Sequence, residues 1–254
     1  VFKAVSLGRW ASPIALLLLW ELGSQTGVIP ARILAPPHVV AQTLWSMTIS
    51  GELPGNIIVS LGRAAAGLVI GVVVGSFMAI VSGMSKPGEL AVDPPMQMLR
   101  TLPALALSPL LIVWLGIGEA AKIALIAYAT AFPVYLNLYN GVRGVDVRLV
   151  EAARSFGLSS IEVVQHVVLP SALPAFLVGL RYSLSVSVLM LVAAEQINAQ
   201  AGLGYLTNNA RDFMRTDILV VCLLVYAMLG LTADFIVRTL ESRALVWRPK
   251  LVES

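Results

Sequence analysis

Apolar residues run through this chain in blocks about twenty residues long, without the strict alternation of a half-buried strand. Six blocks stand out, at residues 10–29, 57–83, 96–116, 120–142, 173–197 and 218–240. Each is long enough to cross roughly 30 Å of hydrocarbon at about 1.5 Å per helical residue. The pattern predicts an all-α membrane protein of about six transmembrane helices in a single domain over 1–254. The first block is the weakest, because Glu21, Ser24, Gln25 and Thr26 interrupt it. Lys3 and Arg9 ahead of it also suit a signal peptide, but no A-x-A pattern follows the apolar core, which favours a retained span.

Composition agrees with the block pattern. Of 254 residues, 58% are apolar and 12% are charged. A soluble domain carries about 25% charged residues, so an ordinary globule and a disordered chain are both excluded. A net charge of +3 is no argument for nucleic acid. Cys222 is the single cysteine and makes no internal disulfide; His38 and His166 are too far apart for a His-rich metal site.

The placement of the basic residues is more informative than their sum. Lys3, Arg9, Lys86, Arg100, Arg143, Arg148, Arg154, Arg238, Arg243, Arg248 and Lys250 fall on one side. Arg32, Arg63, Lys122, Arg211 and Arg215 fall on the other. The positive-inside bias puts both termini in the cytoplasm. Within the second block, Gly67, Gly71 and Gly75 recur every four residues and share one helix face. Such a face permits close helix approach, either within the chain or to a second subunit.

The segment 143–170 does not fit the lipid. It holds Arg143, Asp146, Arg148, Glu151, Arg154, Glu162 and His166, and charges at mid-bilayer cost a few kcal/mol each. It still reads as helical. Asp146 caps a helix whose stripe is Leu149, Ala152, Ala153 and Phe156. Gly157 supplies a left-handed stop. Ser159 and Glu162 form a capping-box pattern for a second short helix, closed by Pro170. Periodicity alone leaves two choices, a knob for a protein partner or an amphipathic helix lying on lipid.

Spacing decides between them. Glu151-Ala152-Ala153, three residues, Gly157, nine residues, Val167, one residue, then Leu169-Pro170 resembles the EAA loop of ABC-importer permeases. Only Val167 departs, standing where isoleucine is usual. The stretches QMLRTLPALALSPLLIVWLGIGEAAKI, AARSFGLS and AGLGYLTNNARDF resemble the nitrate/sulfonate/taurine branch of that family.

The resemblance implies a type I ABC-importer permease fold with a cytoplasmic coupling helix, in a bacterial inner membrane. It implies a second copy of the permease, two cytoplasmic ABC ATPase subunits and a periplasmic or lipid-anchored substrate-binding protein. It implies transport of aliphatic sulfonates by alternating access, with taurine, nitrate or another small anion or heterocycle as the alternative. Arg148, Glu151, Ala152, Ala153, Phe156, Gly157, Leu169 and Pro170 then belong to the coupling element; Glu151 is placed to meet the ATPase groove or to pair with Arg148 or Arg154, with the pairing preferred for Arg148 and the groove contact for Glu151. This chain is expected to bind no cofactor, since none of Lys3, Lys86, Lys122 and Lys250 sits in a phosphate-binding G-x-x-x-x-G-K loop. ATP and magnesium belong to the partner.

Charged groups inside spans are candidates for the substrate path. Arg181 and Glu195 share a face of the fifth block, about 21 Å apart; each suits either the path or the nearer interface. Tyr135, Asn137 and Tyr139 make the inner half of the fourth block polar, for a pore lining or for interhelical hydrogen bonds. Arg100 opens the third block as a cytoplasmic gate or, preferred here, a topology anchor. Residues 201–213 form an outer loop, for docking a binding protein or as a tight turn at Gly202 and Gly204. A membrane enzyme lacks its catalytic constellation here. A secondary transporter would leave the EAA spacing unexplained.

Overall fold

Helices make up every regular element among the described residues of this computed structural model, which are 2–197 and 199–244. Arg248 and Lys250, counted above toward the cytoplasmic side, lie outside them. The first block is helical as α1, Phe2–Gln25. Next comes α2, Pro37–Ile49, which the block pattern missed. It is too short for a span, but Val40, Thr43 and Met47 are buried at helical spacing and Pro37 suits the first turn. The second block lies in α3, Glu52–Met84.

The third block is not a straight span. Its first part belongs to α4, Lys86–Leu99, whose start is capped by Ser85 Oγ accepting from Gly88 N. A short 3₁₀ turn, Ala104–Leu107, and α5, Ser108–Leu115, follow. The two arms are bent by 93°. Pro103 has no N–H to continue the ladder and disfavours helical backbone at Leu102.

The fourth block is α6, Glu119–Arg143. The segment after it contains α7, Val147–Ser155, and α8, Ser160–Val163. A π-helical turn, Val164–Val168, then leads into α9, Leu169–Glu195. Pro170 therefore does not close a helix, as expected above. It occupies the first turn of α9, where its missing N–H costs least, and the preceding turn widens to π geometry. The outer loop is largely α10, Leu203–Asp212, and the sixth block is α11, Thr216–Ala244. Among the described residues four continuous helical stretches are long and apolar enough to cross a membrane, and the bent α4–α5 pair makes a fifth where it counts as one span. The chain is thus a multi-pass membrane protein, although α1 is not among those five.

Contacts divide the described residues into two units, 2–60 with 199–227 and 61–197 with 228–244. In the first, Glu21 meets His38 Nδ1 at 2.7 Å and Thr43 Oγ1 donates to Asp217 at 2.8 Å. Asn56 and Ser60 side chains accept the first backbone N–H groups of α10, at Gly202 and Leu203. That capping, with Leu203, Leu206 and Ala210 buried, makes a helix where a loop was expected. Gly202, at φ +103°, supplies the turn before it.

In the second unit, α6 and α9 pack along their length. Ser183 Oγ on α9 donates to the Thr130 carbonyl on α6 at 2.6 Å. The glycine face of α3 lies on α6 within the same chain. A Cβ at Gly67 would stand 2.6 Å from Ile126 Cβ; at Gly71 it would overlap Thr130, and at Gly75 the Ala131 carbonyl. The face left open by the sequence thus serves intrachain packing. Ala79, Met96, Tyr135, Leu138, Val142 and Ala172 form the core where α3, α4, α6 and α9 converge.

Candidate functional site

The segment between α6 and α9 is built by local rules. Asp146 accepts from Arg148 N at 2.9 Å and opens α7. Gly157 sits at φ +85° and closes it. Leu158 N donates to the Ala153 carbonyl and Gly157 N to the Arg154 carbonyl, the two bonds of a Schellman end. Ser159 and Glu162 complete a reciprocal capping box for α8.

This construction points α7 outward. Of its stripe only Ala153 is buried; Leu149 and Ala152 are exposed and Phe156 is 85% exposed. Arg148 and Glu151 are both exposed. The expected Arg148–Glu151 pairing is not formed: among the described residues no ion pair joins these two exposed side chains. Leu169 and Pro170 stand apart from α7, at the first turn of α9.

At the far ends of the same two helices lies a charge node that sequence reasoning missed. Arg63, on α3 and 4% exposed, donates through Nε and Nη2 to Glu119, the first residue of α6, at 2.5 and 2.7 Å. Its Nη1 donates at 2.6 Å to Glu195, the last residue of α9, which is fully buried. Lys122 adds a 3.2 Å contact to Glu119. The sequence places Arg63 with the outer segments and Glu195 on the path or at an interface. Both are instead compensated inside the protein, as buried charges must be. The available signal was that each is an ionisable residue inside an apolar block. With two carboxylates upon it, Arg63 has little positive field left for an anion.

The other path candidates separate in the same way. Tyr135 is buried and donates to Asp93 on α4 at 2.7 Å. Tyr139 donates to Glu89 at 3.1 Å, and Arg143 pairs with the same carboxylate at 2.9 Å. Asn137 donates to the Pro133 carbonyl within α6. The polar half of α6 therefore holds α4 by interhelical bonds. Arg181 pairs with Asp234 on α11 at 3.0 Å.

Arg100 differs from all of these: it is exposed and makes no ion pair among the described residues. The topology-anchor expectation requires it to sit at a membrane edge. Its neighbour Leu99 instead receives the Tyr128 hydroxyl through its carbonyl. Tyr128 is roughly 14 Å from the Glu119 end of α6 and roughly 22 Å from the Arg143 end, at 1.5 Å per residue. Arg100 thus leaves α4 beside the middle of α6. A charge there costs about 3 kcal/mol on insertion scales, against about 0.3–1 kcal/mol gained by a cation at the C-terminal end of a helix such as α4.

Comparison with known proteins gives these features a family. Residues 71–246 match the family described as binding-protein-dependent transport system inner membrane component. The chain belongs to that family. It is an ABC-importer permease chain by this membership, and its relatives are transport permeases. It is 45% identical, over 94% of its length and 91% of the relative's, to a putative aliphatic sulfonates transport permease protein of Escherichia coli (strain K12). It is 40% identical, over 93% of its length and 86% of the relative's, to the protein of the same description in Bacillus subtilis (strain 168). A taurine transport system permease protein of Escherichia coli (strain K12) is 35% identical over 96% of this chain and 89% of its own.

Solved structures agree on the fold. A chain of an amino acid ABC transporter superposes with a TM-score of 0.63 at 20% identity, covering 79% of this chain and 97% of that one. A chain of the inward-facing MetNI methionine ABC transporter gives 0.55 at 21% identity, covering 71% and 92%. The all-helical architecture is that of a type I ABC-importer permease.

Proposed function

We propose that this chain carries aliphatic sulfonates across a bacterial cytoplasmic membrane as one of two permease copies. Two ATPase subunits drive the pair from the cytoplasm and hold the ATP and magnesium. A periplasmic or lipid-anchored binding protein delivers the substrate. Both termini face the cytoplasm.

The observation that carries the substrate is the 45% and 40% identity to two permeases described as transporting aliphatic sulfonates, over nearly the whole chain. A second substrate, taurine, is favoured by the 35% identity to a taurine permease. Taurine bears the same sulfonate group with an added ammonium, so the two differ only at the far end of the ligand.

Coupling runs through α7. Its exposed Phe156, Leu149 and Ala152 offer an apolar knob to a groove in the ATPase. Arg148 and Glu151, exposed and unpaired with one another, add polar contacts at its rim. Gly157 fixes the exit of the chain, and Leu169-Pro170 starts the helix that transmits the motion. ATP and its hydrolysis products bind the two states differentially, and that difference alone shifts the equilibrium between outward-open and inward-open forms.

Growth with ethanesulfonate as the sole sulfur source tests the substrate, in a strain lacking other sulfonate uptake. Restored growth on introducing this chain with its ATPase and binding protein is expected. Growth that stays absent, with all subunits present in the membrane, overturns the sulfonate assignment. Growth on taurine alone selects the second substrate.

A further inference from the structure

Among the described residues, the bend between α4 and α5 is where a cation within an apolar block has no ion-pair partner. Depth follows from the antiparallel register of α4 on α6. Glu89 meets Tyr139 and Arg143, Asp93 meets Tyr135, and the Leu99 carbonyl meets Tyr128. The series climbs α6 from its cytoplasmic end to its middle. Arg100 and Thr101 come next, both exposed.

Three independent features coincide there. Other span cations have a carboxylate partner: Arg63 has Glu119 and Glu195, Lys122 has Glu119, Arg143 has Glu89, and Arg181 and Arg238 share Asp234. Arg100 has no such partner among the described residues. The backbone leaves α-helical geometry between Leu99 and Ser108. Irregular backbone at membrane depth is tolerated only where protein covers it or water reaches it. Finally, an open concavity of about 490 Å³ lies at this bend, lined by Gln97, Met98, Leu99, Thr101 and Leu102.

We infer that Arg100 lines the water-filled translocation path near the middle of the membrane and attracts the anionic group of the substrate as it passes. An exposed guanidinium at that depth is stable beside water and not beside lipid. Broken helices at mid-membrane place such groups at a transport path. The site takes a small organic anion with a tetrahedral or planar oxyanion head, and its size suits a short alkyl tail along Met98, Leu99 and Leu102. The anion class follows from Arg100 itself; its identity as an alkanesulfonate rests on the proposed function.

The test measures the local field directly. Thr101→Cys is introduced in a Cys222→Ala background, since Cys222 is the only native thiol and is buried. The permease complex in membrane vesicles is treated with membrane-impermeant methanethiosulfonate reagents, one carrying ethylsulfonate and one carrying ethyltrimethylammonium. The expected result is reaction with both, and an anionic-to-cationic rate ratio that falls at least about tenfold when Arg100→Gln is added, as loss of a nearby charge requires. Arg100→Lys is expected to keep most of the ratio. No reaction of Thr101→Cys in any nucleotide state, or a ratio unchanged by Arg100→Gln, overturns the proposal; lipid or a carboxylate of a second copy then covers the residue.

A second arm follows ATP-driven ethanesulfonate uptake, expected to fall at least about tenfold in Arg100→Gln with complex assembly intact. Wild-type uptake unaltered by this substitution overturns the path role. Absence of uptake in the wild type strikes the sulfonate assignment, while the labelling ratio still decides the role of Arg100.

Discussion

Arg63 and Glu195 meet at 2.6 Å with neither side chain more than 4% exposed. Through Glu119 the same guanidinium also holds the first residue of α6. The two helices on either side of the segment 144–168 are therefore fastened together at the ends remote from it. Arg63 is the bridge.

Removing Arg63 leaves the buried Glu195 unpaired, whereas removing Glu195 leaves Arg63 still held by Glu119. Arg63→Ala is expected to destabilise the permease by about 3–5 kcal/mol, and Glu195→Ala by less, read as a lower thermal midpoint in detergent. The double change Arg63→Met with Glu195→Met recovers most of the loss, because no buried charge remains at that pair. Glu119→Gln costs about 1 kcal/mol or less, since Glu119 is 56% exposed. Equal losses in all three single variants would contradict this ordering.

The glycine face of α3 predicts a contrast along one helix. Gly71→Val and Gly75→Val force α3 off α6, because Thr130 and the Ala131 carbonyl already occupy the space. Overpacking of this kind costs about 1–3 kcal/mol or more and is expected to cut the yield of folded protein. Gly62→Ala meets nothing within 4 Å and is expected to be neutral or to stabilise by about 0.5–1 kcal/mol. Fluorescence-detected size exclusion after heating reads both.

Phe156 separates a partner contact from a folding role. At 85% exposure, Phe156→Glu is expected to change permease stability by no more than about 0.5 kcal/mol. It is expected to abolish retention of the ATPase subunits on affinity-tagged permease. Full retention would remove α7 from the coupling interface. Gly157→Asn tolerates the left-handed backbone at φ +85° and keeps transport-coupled hydrolysis, whereas Gly157→Val loses it.

Tyr135 and Tyr139 are predicted to differ although they share a helix face and stack at 5.8 Å. Tyr135→Phe removes the bond that ties α6 to Asp93 inside the core and is expected to cost about 1–2 kcal/mol. Tyr139→Phe is expected to cost less, because Glu89 keeps Arg143 and Lys86. Melting curves of the two variants check the order.

The segment between α6 and α9 was the most legible part of the chain. Asp146, Gly157, Ser159 and Glu162 act on backbone groups within a few residues of themselves, so their roles follow from spacing alone. The bend after α4 was less legible. Pro94 and Pro95 lie inside a continuous helix while the chain breaks near Pro103. A proline inside a helix survives where the surrounding helices hold it, and packing is not written in the local sequence. The short helices α2 and α10 escaped because their burial depends on partners brought in by the fold; the caps of α10, Asn56 and Ser60, lie 146 and 143 residues away from the groups they accept.

The sequence by itself determined the apolar blocks, the capped helices between α6 and α9, and the spacing that marks the family. All of these depend on interactions within one or two helical turns, or on transfer of a continuous segment into lipid. Tertiary structure decided which way the glycine face of α3 turns, which carboxylates hold Arg63, and which part of α6 lies beside the bend at Arg100. Those outcomes depend on the register between helices, and Arg63 reaches Glu119 across 56 positions and Glu195 across 132. A buried charge must find its counter-charge wherever packing places it, so its role is fixed only when the helices are side by side.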